Sequence, residues 1–189
     1  MRKLTLAIAA LTLFFVVLTP IRSNPNQVSL PTFSSVYTDL NKECKNAFKE
    51  KDVNEGSDMP LKCKGYGQYY IYIYYSAWAS QINAQMKGNE DVSIPLAMQE
   101  LNYDSEKGRK VEWRMADNKP FAVILRISNY REDAGADGGN PFDKKYKTGE
   151  SLIVQGLKGY EHIDFKVDAK DPNANAKARE MADSNYARK

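Results

Sequence analysis

The chain has 189 residues, with 27 basic against 24 acidic side chains and a formal charge of +3. Arg2, Lys3 and Arg22 lie in the first 23 residues, where no acid occurs, so the remainder carries 24 bases against 24 acids. This balance removes net attraction to polyanions and argues against nucleic acid as a partner, while about 166 residues suffice for one core rather than two.

The opening MRKLTLAIAALTLFFVVLTPIRSNPN orders a basic start, an apolar run over residues 4–18 and a helix-breaking Pro20. That order reads as a secretory signal peptide over residues 1–23, cleaved near Ser23, with residues 24–189 as a single exported domain. A retained membrane anchor is the alternative, but the run falls short of the roughly 20 apolar residues of a spanning helix even though Ile21 is close by, and no cysteine follows it for lipidation. The expected location is therefore periplasmic or secreted, with no stable membrane insertion after cleavage.

Cys44 and Cys63 are the two cysteines, and in an oxidising compartment an even pair reads as a disulfide. A metal site would need further Cys or a nearby His, and a redox pair takes the C-x-x-C spacing.

Residues 68–80, QYYIYIYYSAWAS, alternate with period two. Read as one strand, they place Tyr69, Ile71, Ile73, Tyr75, Ala77 and Ala79 on the core side, where the alanines leave room for a closely packed helix. Tyr70, Tyr72, Tyr74, Ser76 and Trp78 form the opposite, mostly aromatic row, with neighbouring positions about 7 Å apart. Tyrosine offers a flat apolar face and a hydroxyl, which suits contact with a protein or a glycan. The same row would also serve as a second core layer if another element covered it.

The stretch RKVEWRMADNKPFAVILRIS predicts a hairpin. Aligning Trp113 with Val123, Val111 with Leu125, Met115 with Phe121 and Arg109 with Ile127 makes one face apolar, and Ala116 then opposes Pro120. This register implies a loop of three or five residues around DNK. The other face carries Glu112, Arg114, Ala122, Ile124 and Arg126.

A glycine- and acid-rich connection follows. Its Asp133, Asp137, Asn140 and Asp143 are hard oxygen ligands of the kind calcium uses, although their spacing does not match an EF-hand loop. Turn geometry alone also collects such residues. The strand SLIVQGL comes next, then YEHIDFKVD with Ile163, Phe165 and Val167 inward and His162 and Asp164 outward. Finally, the period changes to that of a helix capped by Asp171 or Asn173, with Ala174, Ala178, Met181, Ala182 and Tyr186 as a narrow apolar stripe. Strands first and a helix last predict an α+β domain, mainly antiparallel sheet with a C-terminal α-helix packed on one face.

The segments SVYTDLNKEC, CKGYG, VEWRMADNKPFAVILR and NANAKAREMAD together resemble a family of small secreted or periplasmic bacterial proteins with no assigned activity. The resemblance spans nearly the whole exported part and implies export and single-domain architecture, with no role for any particular residue.

Motifs for catalysis are sparse. His162 is the single histidine and reads as a surface residue without a nucleophile elbow. Glu112, beside Trp113, is the best-placed carboxylate for glycoside chemistry but also fits as a partner of Arg114 or Arg126. No phosphate loop, metal set or cofactor motif is expected, since GADGGN leads to Pro141 rather than to a helix. Three roles follow, in order of preference: a non-catalytic exported domain binding a protein or glycan, an envelope hydrolase using carboxylates, and a structural accessory of an envelope assembly.

Overall fold

The computed structural model describes residues 30–48, 59–105 and 109–187, so the expected signal peptide lies outside the described residues. The strands among the described residues are β1 (Phe33–Asp39), β2 (Cys44–Asn46), β3 (Leu61–Cys63), β4 (Tyr69–Tyr75), β5 (Ala79–Met86), β6 (Asn89–Glu100), β7 (Lys110–Ala116), β8 (Lys119–Tyr130), β9 (Lys147–Gly156) and β10 (Asp164–Asp168). The helix α1 (Ala174–Tyr186) follows them. All pairings are antiparallel, in two five-stranded sheets of order β1-β7-β8-β9-β10 and β2-β3-β4-β5-β6. The domain is thus α+β, antiparallel with one C-terminal helix packed on.

Alternation along each strand dictates the layers. Ile71, Ile73, Ile82 and Ala84 of the second sheet share a buried cluster with Val111, Trp113, Val123 and Leu125 of the first. Ile71 and Ile73 are fully buried, and each such side chain contributes about 1.5–3 kcal/mol by transfer from water. Their face meets the other sheet, not the helix that the neighbouring alanines suggested. The helix packs instead on the far side of the first sheet, where Ala174, Ala178 and Ala182 approach Ile124, Leu152, Val154, Ile163 and Val167. The expected alanine stripe is correct, with Met181 and Tyr186 at its border.

Residues 68–80 do not form one strand. β4 ends at Tyr75, Ser76 to Trp78 turn, and β5 returns from Ala79, with the Ser76 N–H donating to the Ala79 carbonyl at 2.9 Å. Ala77 is therefore exposed and Trp78 leaves the tyrosine row. Small residues alternating with Ser and Trp continued the period-two pattern in the sequence, but they lack the bulk that would hold an extended chain in the core.

The β7–β8 hairpin keeps the expected pairs Trp113 with Val123 and Val111 with Leu125. Its loop differs: Ala116 opposes Lys119, Met115 opposes Pro120, and only Asp117 and Asn118 turn, at φ +47° and +63°. Two consecutive left-handed residues fit the type I′ turn that matches strand twist. The odd residue demanded by the faces lies within β8, as a bulge at Phe121 between the Ala122 and Pro120 pairings. The bulge puts Phe121 beside Ala122 in the helix-side cluster, not with Met115.

Glu112 and Arg114 alternate onto the helix side and are nearly buried there. Arg179 donates to Glu112 at 2.6 and 3.1 Å, and Arg114 Nε donates to Asp183 Oδ1 at 2.7 Å. These bonds register the helix along the sheet, because each charge taken from water needs its partner. Asp183→Ala is expected to cost about 2 kcal/mol, between the 3–5 kcal/mol of a broken buried pair and the under 1 kcal/mol of an exposed one. Urea unfolding measures it, and an unchanged midpoint would show the pair to be ornamental. The combined Arg114→Met, Asp183→Leu variant should recover most of that loss.

Candidate ligand-binding face

The second sheet presents its core residues to one side and Tyr70, Tyr72 and Tyr74 to the other. Tyr72 stands opposite Lys62 on β3 and Asn83 on β5, Tyr70 opposite Gln85, and Tyr74 opposite Gln81. Directly opposed residues of an antiparallel ladder share a face, so Lys62, Gln81, Asn83 and Gln85 belong to the tyrosine surface. β6 extends it with Ser93 opposite Gln85 and Met98 opposite Gln81, and β2 with Lys45 opposite Lys62. Among the described residues, the helix packs only on the other sheet.

The three tyrosines are half-buried. The Tyr72 and Tyr74 rings are nearly parallel, 6.0 Å between centroids and 16° between planes, close to the strand's own two-residue repeat. The Tyr74 hydroxyl donates to Gln85 Oε1 at 3.3 Å, and Asn83 Nδ2 donates to the Ser93 hydroxyl at 3.1 Å. Asn83 is buried beneath the surface, and its Oδ1 has no hydrogen-bond partner. A buried acceptor without a donor is unfavourable and is the kind of group that a ligand hydroxyl satisfies.

Tyr70 is surrounded by charge. Lys62 Nζ lies 3.9 Å from its ring centroid and Lys87 Nζ 4.5 Å from it, both within cation–π range. Lys87 reaches there from the tight turn between β5 and β6, where Gly88 takes φ +70°. Gly65 allows the approach to β4, because a Cβ there would stand 1.9 Å from the Tyr69 carbonyl oxygen.

Trp78 does not join Tyr70, Tyr72 and Tyr74 as the sequence suggested. It lies in the β4–β5 turn at the rim, where its carbonyl accepts from the Leu101 N–H at 3.2 Å. Trp78, Leu101 and Met98 are exposed at that end. The sequence reading missed the amides of β5 and the lysines. Lys-Gly after an alternating run, at residues 87 and 88, was the available signal for the β5–β6 hairpin.

Hollows also lie away from the tyrosine row. A polar groove of about 450 Å³ between the first sheet and α1 is lined by Arg109, Glu112, Arg126, Glu150 and Arg179. Most of its charges are paired: Arg179 with Glu112, Arg126 with Glu150 at 3.5 Å, and Arg109 with the neighbouring Glu100 at 3.4 Å. Burial opposes the charge on Glu150, but Lys147, Arg109 and Arg126 together hold its carboxyl below the usual range. Burial pushes the Tyr103 phenol, stacked on Arg109, well above its ordinary value. Glu112, the carboxylate considered for hydrolysis, is thus engaged by Arg179 and by the Ser35 hydroxyl rather than by Arg114 or Arg126. An apolar notch of about 350 Å³ lies against Tyr69, Phe121, Tyr160 and Tyr186.

His162 falls just before β10 rather than within it, and its Nε2 is 3.0 Å from the Asn185 carbonyl oxygen. In the acidic loop, Asp137 accepts from the Tyr146 hydroxyl and the Gly139 N–H, Asn140 from the Phe142 N–H, and Asp143 from the Lys145 N–H. Those bonds are the turn-forming use of Asp and Asn, and the described residues contain no cluster of three metal-ligating side chains.

No protein-family model, no curated protein and no solved structure matches this chain.

Proposed function

We propose that the protein is an exported, non-catalytic domain that binds a glycan through the Tyr70, Tyr72, Tyr74 face. The observation that carries this reading is the composition of one sheet surface on which the described helix does not pack: an aromatic row flanked by amide side chains, with a buried Asn83 acceptor lacking a donor. Rings supply apolar contact for sugar C–H faces and amides supply donors and acceptors for hydroxyls, while the strand fixes both at low entropic cost. The paired charges of the polar groove favour structure over acid–base work there.

Replacing Tyr72 and Tyr74 by serine is expected to weaken glycan binding at least tenfold, equivalent to about 1.4 kcal/mol, with the fold retained. Affinity electrophoresis in gels containing soluble polysaccharides reads this out, with circular dichroism as the folding control. Unchanged mobility of a folded double variant would remove the platform. Loss of folding would make the row a second core layer.

A protein partner is the second reading, favoured by Trp78, Met98 and Leu101 exposed at one end of the same sheet. Substituting Met98 and Leu101 by serine would then abolish partner binding and leave glycan retention untouched.

A further inference from the structure

We infer that the ligand of this face is an acidic polysaccharide, its anionic groups held at the Tyr70 end by Lys45, Lys62 and Lys87. The inference rests on the glycan reading and adds the charge of the ligand.

Lys45 and Lys62 stand directly opposite each other in the β2–β3 ladder. Like charges so placed repel, and an ordinary surface would alternate the signs. Lys62 Nζ is 3.9 Å from the Tyr70 centroid and 5.6 Å from that of Tyr72. Lys87 Nζ approaches the same Tyr70 ring at 4.5 Å and donates to the Gly67 carbonyl at 2.8 Å. Two ammonium groups therefore converge on one ring, and Lys45 stands across the ladder from one of them. Among the described residues none of them is in an ion pair, whereas nearby Lys64 is matched by Glu43 at 3.1 Å. Chain charge outside the first 23 residues is balanced, so this excess is a local segregation and not a general basicity.

Space is available on both sides of the cluster. A hollow of about 470 Å³ touches Lys45, Lys62 and Tyr70, and a smaller one of about 160 Å³ touches Lys62, Tyr70, Tyr72, Gln85 and Lys87. Lys62 and Tyr70 form the ridge between them. A chain of sugars crossing that ridge would bring carboxylate or sulfate groups to the lysines while its rings lie along Tyr70 and Tyr72. Charge-assisted hydrogen bonds would then offset the repulsion built into the free face.

The test uses polygalacturonate and its fully methyl-esterified form, which share a backbone and differ in charge, with dextran sulfate and dextran as the sulfate pair. The exported chain should bind polygalacturonate or dextran sulfate about tenfold more tightly than the uncharged member of that pair. Whichever acid is preferred assigns the anion as carboxylate or sulfate ester. Lys62→Gln and Lys87→Gln should each weaken acidic binding several-fold and leave the neutral polymers unaffected. Lys62→Gln should also leave thermal stability unchanged or higher, because it relieves the repulsion with Lys45; this separates a binding role from a structural one. Equal binding of charged and uncharged members would overturn the inference and leave the glycan reading standing. Binding to none of the four polymers would remove both. Equal retention of a single-stranded oligonucleotide would show a general polyanion site and overturn the assignment to polysaccharide.

Discussion

Trp113→Ala is expected to destabilise the domain by about 3–5 kcal/mol, a large share of the total for a chain of this size. Trp113 is fully buried at the centre of the layer between the sheets. Its ring lies 5.9 Å from Tyr66 and 6.4 Å from Tyr69, and its indole N–H donates to the Thr38 hydroxyl at 3.0 Å. Truncation removes the transfer energy, opens a cavity that two sheets, each held by its own ladders, close only in part, and leaves the buried Thr38 hydroxyl without its donor. Chemical denaturation followed by far-ultraviolet circular dichroism measures the loss. A change below about 1.5 kcal/mol would mean that the sheets collapse onto the gap and are less rigidly held than their register implies. Trp113→Phe should recover much of the packing but not the hydrogen bond.

Removing the Cys44–Cys63 bridge is expected to cost about 3 kcal/mol on the chain-entropy view of a loop of 19 residues. The two cysteines are directly opposed in β2 and β3, and Cys63 is part of the inter-sheet core. β2 and β3 are three residues each, too short to hold the sheet edge by their ladders alone. The paired Cys44→Ser, Cys63→Ser variant should unfold at lower urea and should loosen Lys45 and Lys62 on the edge. The intact protein should resist a thiol reagent until reduced. Modification before reduction, or an unchanged urea midpoint in the variant, would contradict this role for the bridge.

Both results bear on the proposed binding face, since the core layer and the bridge hold β3 and β4 in register. The tyrosines sit on the opposite side of β4 from Ile71 and Ile73, so a variant that disturbs the core would displace them indirectly. Binding tests on Tyr72, Tyr74, Lys62 and Lys87 are therefore to be read only in variants whose melting temperature is not lowered.

The sequence alone determined the features that depend on near neighbours. Period-two alternation separated Ile71 and Ile73 from Tyr70, Tyr72 and Tyr74, because burying the apolar side is worth more than burying hydroxyl-bearing rings. The small-residue spacing from Ala174 to Ala182 marked a helix able to lie close to a sheet, and the two cysteines could pair only with each other. Tertiary structure decided what depends on distant partners. The parity of the β7–β8 hairpin was set by whether the extra residue entered the loop or the strand, and the helix-side aromatic cluster took Phe121 through a bulge. Glu112 found Arg179, 67 residues away, instead of the arginines beside it. The lysines converge on Tyr70 from β3 and the β5–β6 turn, and neither short edge strands nor the turn carry a periodic signal that would announce them. The face was legible strand by strand, but its width and charge came from the strands that pair around β4.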